Sequence, residues 1–415
     1  MRFNPTLIAL AGGLALASAP ASAFALQDLD TEALAAMDGR FDSLAAEGVR
    51  PGYAVVIAQG GEVVFQSSSG VIDTDSGQAF DADSPVRIAS MTKPITALAA
   101  MQLVEDGVIG LDDPVGDYLP MFAEMQVATS LEADENGEIQ TRPAATAMTV
   151  RHLLTHTAGL GYIFDPETDL GRLHMENSLY EGEGDLMARM EQLAALPLYA
   201  DPGQTWIYSY SQDVLGAVIE AAAGQPFEDY MEEQVFEPLG MHDTGFFFED
   251  VAFPEAEMSP LYTHDEDGAL VEIEQGNPDW PSGGGGLVST AGDYIRFAMM
   301  LAGGGELDGV RVIEADTLAE MFSPQVTEAQ LNGGWGGVSY GFGLAVVLPP
   351  VEGQDPQGLP GDVSWGGYFD TDFVVSPSAG VAAVIMTQIQ PGPHTPGPRT
   401  AEIFRPLLYS AIDLD

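Results

Sequence analysis

A serine and a lysine three residues apart, in Ser90-Met91-Thr92-Lys93, carry the clearest chemical signal in this chain. Twelve of the 13 basic residues are arginine, so Lys93 is the only lysine among 415 residues. Three residues apart on a helix puts both side chains on one face, within reach of each other. An ammonium beside a hydroxyl can draw off its proton or stabilise the alkoxide that results, which makes serine a usable nucleophile. Spacing alone does not decide the matter, because a lone lysine falls at that offset from some serine by chance roughly one time in twenty. The surroundings add weight. From 94 to 104 the chain is apolar nearly all round, the pattern of a buried helix, and Gly107 supplies a stop. Pro94 is tolerated if the helix begins near Ser90, since first-turn amides have no partner to lose. Ser90 then stands at the N-terminal mouth of a buried helix, where amides and dipole favour a developing negative charge.

Such a nucleophile needs a base. Trp206-Ile-Tyr208-Ser-Tyr210 places two tyrosines in a turn ahead of an apolar helix at 214–223. A phenol works as a base once ionised, and an adjacent ammonium favours that form. Taken alone, either tyrosine reads better as an ordinary half-buried ring. His152 and His156 lie four apart but have no third metal ligand at a suitable spacing, so structural hydrogen bonding is expected of them. There is no H-E-x-x-H, and no G-x-S-x-G nucleophile elbow following a strand is expected. The four glycines at 283–286 are not followed by Gly-Lys-Ser/Thr, so they are expected to let backbone pass close along a cleft wall rather than to cradle phosphate. Neither a metal nor a cofactor is expected.

The elements that must hold these residues can be read from periodicity. An amphipathic helix is expected over 31–48, then a strand over 52–59, a two-residue turn at Gly60-Gly61 and an antiparallel return over 62–68. The buried helix follows. From about 115 to 280 the pattern is mainly helical and rich in loops, and the acidic run at 132–138 is a solvated loop. A helix is expected over 290–301, strands over 341–348, 362–365, 371–376 and 380–387, and a last helix over 399–412. The implied fold is α/β of the α+β type: an antiparallel sheet built from both chain ends and flanked by helices, with a mainly helical lobe inserted. One catalytic domain is expected over 26–415, its α/β lobe at about 26–115 plus 280–415 and its helical lobe at about 116–279.

Residues 1–25 read as a secretory signal, with Arg2, an apolar run, and cleavage after Ala23 or Ala25. A periplasmic or secreted protein is therefore expected, free of the membrane once cleaved. No cysteine is present, which excludes disulfides, thiolate metal sites and a cysteine nucleophile. The formal net charge of −50 repels nucleic acid and anionic lipid. It also repels itself, and salt screens that repulsion. Salt adaptation is the expectation, with a melting temperature that rises from low to molar salt; a flat or falling one would overturn it.

Ser90-x-x-Lys93, the Tyr208 element and a Gly-Gly strand end near the C-terminus together resemble the penicillin-recognising serine hydrolases. Within that superfamily the match is to class C β-lactamases and, more closely, to family VIII carboxylesterases. Supporting stretches at 152–160, 238–246 and 284–293 spread the resemblance over nearly the whole mature chain. It implies Ser90 as acylated nucleophile, Lys93 as its activating partner and Tyr208 as general base. It also implies an oxyanion hole made by the backbone N–H groups of Ser90 and Tyr368. Trp-Gly-Gly occurs at 335–337 and 365–367, and only the second lies on a strand leading to another strand and the last helix. Trp365, Gly366 and Gly367, with Tyr210, are therefore expected to face substrate. Two departures favour esters. Tyr208-Ser-Tyr210 stands where the lactamases have Tyr-x-Asn, and Trp365-Gly-Gly where they have Lys-Thr-Gly. Each lost charge-assisted contact removes roughly 1.5–3 kcal/mol of recognition of a substrate carboxylate or amide. The expected partner is a small neutral ester, cleaved through an acyl-enzyme. β-Lactamase or D-amino-acid peptidase chemistry on the same serine is the alternative, and a non-catalytic binding homologue a second one.

Overall fold

Strand β1 (Gly52–Gln59) shows how the sheet is built, because it is buried on both faces. Successive strand side chains point to opposite sides. Tyr53, Val55 and Ile57 pack into one apolar cluster, and Ala54, Val56 and Ala58 into another. A run without polar alternation is what a central strand requires. The computed structural model describes residues 29–180, 184–247, 258–275, 278–350 and 358–412. The expected leader at 1–25 lies outside them.

The main sheet has seven strands. In chain order they are β1, β2 (Glu62–Gly70), β3 (Val338–Tyr340), β4 (Ala345–Val347), β5 (Val363–Gly366), β6 (Asp372–Ser376) and β7 (Val381–Met386). Their spatial order is β3-β4-β5-β6-β7-β1-β2, antiparallel throughout. The N-terminal hairpin thus completes a sheet begun by the C-terminal strands, with Val56 opposite both Val384 and Gln66. The helices that flank this sheet or support the site are α1 (Thr31–Ala46), α2 (Thr92–Glu105), α3 (Ser211–Ala223), α4 (Ala291–Ala302) and α5 (Thr400–Ala411). Asp30 caps α1 by accepting from the Glu32 amide at 2.8 Å. α1 and α5 cover one face of the sheet through Met37, Phe41, Phe404 and Leu408. α2 and α4 belong to the core of the other face. Burying each such large side chain stabilises the fold by about 1.5–3 kcal/mol.

The expected mixed architecture is therefore present, with two local differences. The strand expected over 341–348 is realised only as β4 (Ala345–Val347), because Gly341–Leu344 is a turn that links it to β3 (Val338–Tyr340), a strand not expected from the sequence. Gly343 takes φ +80°, where a side chain would collide with Ala97, and its amide donates to Leu154 O at 3.0 Å. Phe342 drops into the core from this turn. An apolar turn has the composition of a strand, which is why periodicity extends the strand back through it. Between 115 and 280, short hairpins (Gln126–Ala128 with Thr141–Pro143, Leu261–His264 with Leu270–Ile273) accompany the helices. Three or four residues are too few to display a period.

Candidate active site

Ser90 sits on a single 3-10 turn (Ala89–Met91) that runs directly into α2. Its predecessor Ala89 takes φ +45°, a left-handed conformation that costs a non-glycine residue roughly 1–2 kcal/mol. Such local strain persists only where neighbouring structure holds it. Here the two-residue strand Val86–Arg87 pairs with Val288–Ser289. The Ile88 amide donates to Leu287 O at 3.1 Å, and the Leu287 amide to Thr92 Oγ1 at 3.2 Å. The turn's bonds begin with the Met91 amide, which donates to Ile88 O at 3.0 Å. The Ser90 N–H thus precedes the helical ladder, in the position of an orphan first-turn donor.

One helical turn on, Lys93 is fully buried. Its Nζ donates to Ser90 Oγ at 3.2 Å and to Gly284 O at 2.5 Å. The same atom lies 4.6 Å from the centroid of the Tyr208 ring and 5.7 Å from that of Tyr162, close enough for cation–π attraction. The Tyr208 hydroxyl donates to Ser90 Oγ at 2.6 Å. The structure therefore brings the serine, the lone lysine and one of the two candidate phenols into direct contact. Tyr208 owes its place to a loop tied at both ends. The Ile207 amide donates to His156 O at 2.8 Å and the Tyr210 amide to Gly161 O at 3.2 Å. Around its ring stand His156, Tyr162, Trp206 and Trp365, with centroids at 4.9, 5.5, 6.0 and 5.9 Å.

The glycine segment supports Lys93 from behind. Asp213, in the first turn of α3, accepts from Ser282 Oγ at 2.5 Å and from the Gly284 amide at 3.1 Å. A side chain on Gly284 would collide with that carboxylate, and one on Gly283 would come within 2.5 Å of Gln212 O. The close backbone approach expected of these glycines is thus realised, with the Gly284 carbonyl turned toward the ammonium. Burial raises the Asp213 carboxyl above its ordinary range, against the Ser282 hydroxyl and the Lys93 charge, which pull it down. His156 is held well below the usual imidazole range by burial and secondly by Lys93, so it meets Tyr208 as a neutral ring. His152 has a structural place: its Nδ1 accepts from the Thr149 amide at 3.2 Å and closes a helix capping box.

Ser90 opens into a cavity of about 450 Å³. Tyr162, Phe164 and Tyr180 line it from the helical side and Tyr368 and Phe369 from the sheet side, while Gly284 and Gly285 form one wall. Phe164 and Tyr368 face each other with ring centroids 6.0 Å apart, and are 54% and 40% exposed. Among the described residues, none of the lining side chains is charged.

The other expected contact residues divide. Tyr368 lines the cavity and follows directly on β5 and its glycine pair. Gly367 is required by packing: a side chain there would lie 2.5 Å from Ile88 O, so its absence lets the turn after β5 rest against the approach to Ser90. Gly366 continues the strand, paired with Asp372. Trp365 packs behind Tyr208 and against Tyr340. Tyr210 departs from the expectation that it faces substrate. It is fully buried, and its hydroxyl accepts from the Leu179 amide at 3.2 Å. The chain enters α3 at Ser211, and that change of direction carries Tyr210 into the core.

Sequence reasoning passed over two features. Tyr162 and Tyr180 share a hydrogen bond at 2.7 Å on the cavity wall beside Lys93, and burial raises both phenols well above their ordinary range. Nothing in their spacing marks them. Gly337-Val-Ser339-Tyr-Gly341 matches G-x-S-x-G, the pattern of a nucleophile elbow. Ser339, however, is buried within β3 and donates to Val326 O at 2.8 Å, with no strand-to-helix turn to expose it.

A family model described as Beta-lactamase matches residues 37–405. Esterase EstB of Burkholderia gladioli is 32% identical over 385 residues, covering 86% of this chain and 91% of that protein. Among solved structures, EstCE1, described as a hydrolase with promiscuous acyltransferase activity, superposes with a TM-score of 0.73 at 26% identity, over 92% of this chain and 99% of that one. Unliganded simvastatin synthase LovD from Aspergillus terreus gives 0.76 at 25% identity, over 92% and 98%.

Proposed function

The chain belongs to the Beta-lactamase family, whose fold serves serine hydrolases and acyltransferases, and from that premise we propose that it is a carboxylesterase acylated on Ser90. One observation carries the reading. In a chain of net charge −50, the described residues lining the cavity beside Ser90 are aromatic or neutral, and none of them presents a cation to a substrate carboxylate. Its single lysine is committed to Gly284 O and Ser90 Oγ. A neutral acyl ester has no charge to desolvate in such a site, whereas an anionic β-lactam would be desolvated without a partner.

Tyr208, once ionised, takes the proton of Ser90 across their 2.6 Å contact as Oγ attacks the ester carbonyl. Lys93 Nζ assists from its contact with Ser90 Oγ and its place over the Tyr208 ring. The backbone N–H groups of Ser90 and Tyr368 hold the oxyanion, and Tyr208 returns the proton to the departing alcohol. Water then loses its proton to Tyr208 as it attacks the acyl carbon, and when the bond to Ser90 Oγ breaks Tyr208 returns that proton to the serine and the acid is released. The acyl or alkoxy group rests between Phe164 and Tyr368, where flat or branched apolar groups gain most.

Two chromogenic substrates test this. A burst followed by steady hydrolysis of p-nitrophenyl butyrate, with nitrocefin left intact, is the expected result. Turnover of nitrocefin without ester cleavage would move the chemistry to amides. A chain that turns over neither, and that a fluorophosphonate fails to label, would have no acylated serine.

A further inference from the structure

We infer that Asp370 is a positioning residue, anchoring the turn that carries the Tyr368 amide at the distance Ser90 chemistry needs. The turn after β5 is closed by the Asp370 amide donating to Gly367 O at 3.2 Å and by the Gly367 amide donating to Thr371 O at 2.8 Å. Within it Asp370 takes φ +69°, a conformation that glycine adopts without cost. Its side chain therefore has a use that outweighs the strain. The carboxylate is almost wholly buried, where an ion is tolerated only if its lone pairs are met.

They are met from two distant parts of the chain. Arg50, just ahead of β1 and itself buried, reaches Oδ2 with Nη2 at 2.7 Å. Arg399 reaches Oδ1 with Nε at 2.6 Å. Thr400, the first residue of α5, donates to Oδ2 through its amide at 3.1 Å and its hydroxyl at 2.6 Å, and Arg50 Nε donates in turn to that hydroxyl at 3.2 Å. The start of α5 also favours a negative charge there through its dipole.

On its other side the turn meets Ile88, two residues before Ser90, through Gly367, and Phe369 O accepts from the Ile389 amide at 3.3 Å. Tyr368 and Phe369 lie between the two and line the cavity. A carboxylate gripped by two guanidinium groups holds the turn from behind while the glycine holds it from in front. Removing one grip shifts the amide relative to Ser90 without touching substrate. Displacement of about an ångström at a reacting centre costs up to ~100-fold in rate.

The inference rests on the reading of Ser90 as the acylated nucleophile, and the test separates the two. Asp370→Asn and Asp370→Gly are prepared in the full chain beside wild type. Melting temperature, kcat and KM for p-nitrophenyl butyrate, and inhibition by an alkylboronic acid are measured for each. A boronate forms a tetrahedral adduct on serine and places an oxygen where the oxyanion would sit. Both variants should lose about 10- to 100-fold in kcat, with KM within about threefold and boronate inhibition weakened in step with kcat/KM. Equal loss in Asp370→Gly, which relieves the backbone strain, assigns the effect to the anchor. Should both variants misfold, Arg399→Gln removes only the half-exposed partner, and an unchanged kcat there would overturn the proposal. So would a folded Asp370→Asn that keeps wild-type kcat or loses only thermal stability. An inert wild type would overturn the esterase reading and the anchor's role with it, whereas active wild type beside an equally active Asp370→Asn overturns the anchor alone.

Discussion

Lys93→Ala should lower kcat/KM for an acyl ester by about a thousandfold or more, within the range that removal of an acid–base partner produces. The size follows from how many contacts meet at one nitrogen. Nζ donates to the Ser90 oxygen and to Gly284 O, and lies over the face of the Tyr208 ring. Alanine removes the charge that favours both the alkoxide and the phenolate, so the losses at serine and tyrosine fall together rather than adding. It also leaves the Gly284 carbonyl without that donor in a buried wall, at a cost of about 1–3 kcal/mol in stability. The drop in activity must therefore be set against melting temperature and circular dichroism. A folded variant with near-native turnover would remove Lys93 from the mechanism. No other lysine exists to substitute for it. For the same reason, a protein labelled with nitrogen-15 at lysine Nζ gives one side-chain resonance, which reports the protonation of this group directly through a pH series.

Tyr208→Phe should cost about 100- to 10,000-fold in kcat/KM with the fold unchanged. The substitution deletes one oxygen, the atom 2.6 Å from Ser90 Oγ, and keeps the ring among its four aromatic neighbours. Thermal stability should shift by about 1 kcal/mol or less, since a single part-buried hydrogen bond contributes little net. Pre-steady-state kinetics divide the effect. A base needed for acylation slows the initial burst, whereas one needed only for deacylation leaves the burst intact and slows the steady state. Wild-type rates in both phases would sink the assignment. The parallel change at Tyr210 makes a useful contrast. Its hydroxyl is committed to the Leu179 amide inside the core, so Tyr210→Phe is expected to act on stability rather than on rate.

Much of the scaffold was legible because it depends on local pattern. β1 has the bounds read from the sequence, and β6, β7, α4 and α5 lie within a residue or two of where periodicity puts them. Boundaries failed where composition does not distinguish turn from strand, as at Gly341–Leu344. The role of the four glycines was legible in kind, as a close approach. Their partners, Asp213 and Gln212, were not, because a sequence names the residue that lacks a side chain and not the atom that would have met it.

The sequence by itself determined that Ser90 and the lone lysine would touch, since three residues along a helix is a short-range geometry that no distant contact needs to set. It also determined that the site would lack a second amine. Which phenol would serve them was decided by tertiary structure alone. Tyr208 and Tyr210 are two residues apart and alike in composition, and only the anchoring of 207 to His156, together with the turn into α3, sends one to the serine and the other into the core. The same holds for Gly284 and Asp370, whose partners lie 191 and about 320 residues away along the chain. Contacts across such distances exist only after the chain has closed on itself, and periodicity in a short window carries no trace of them.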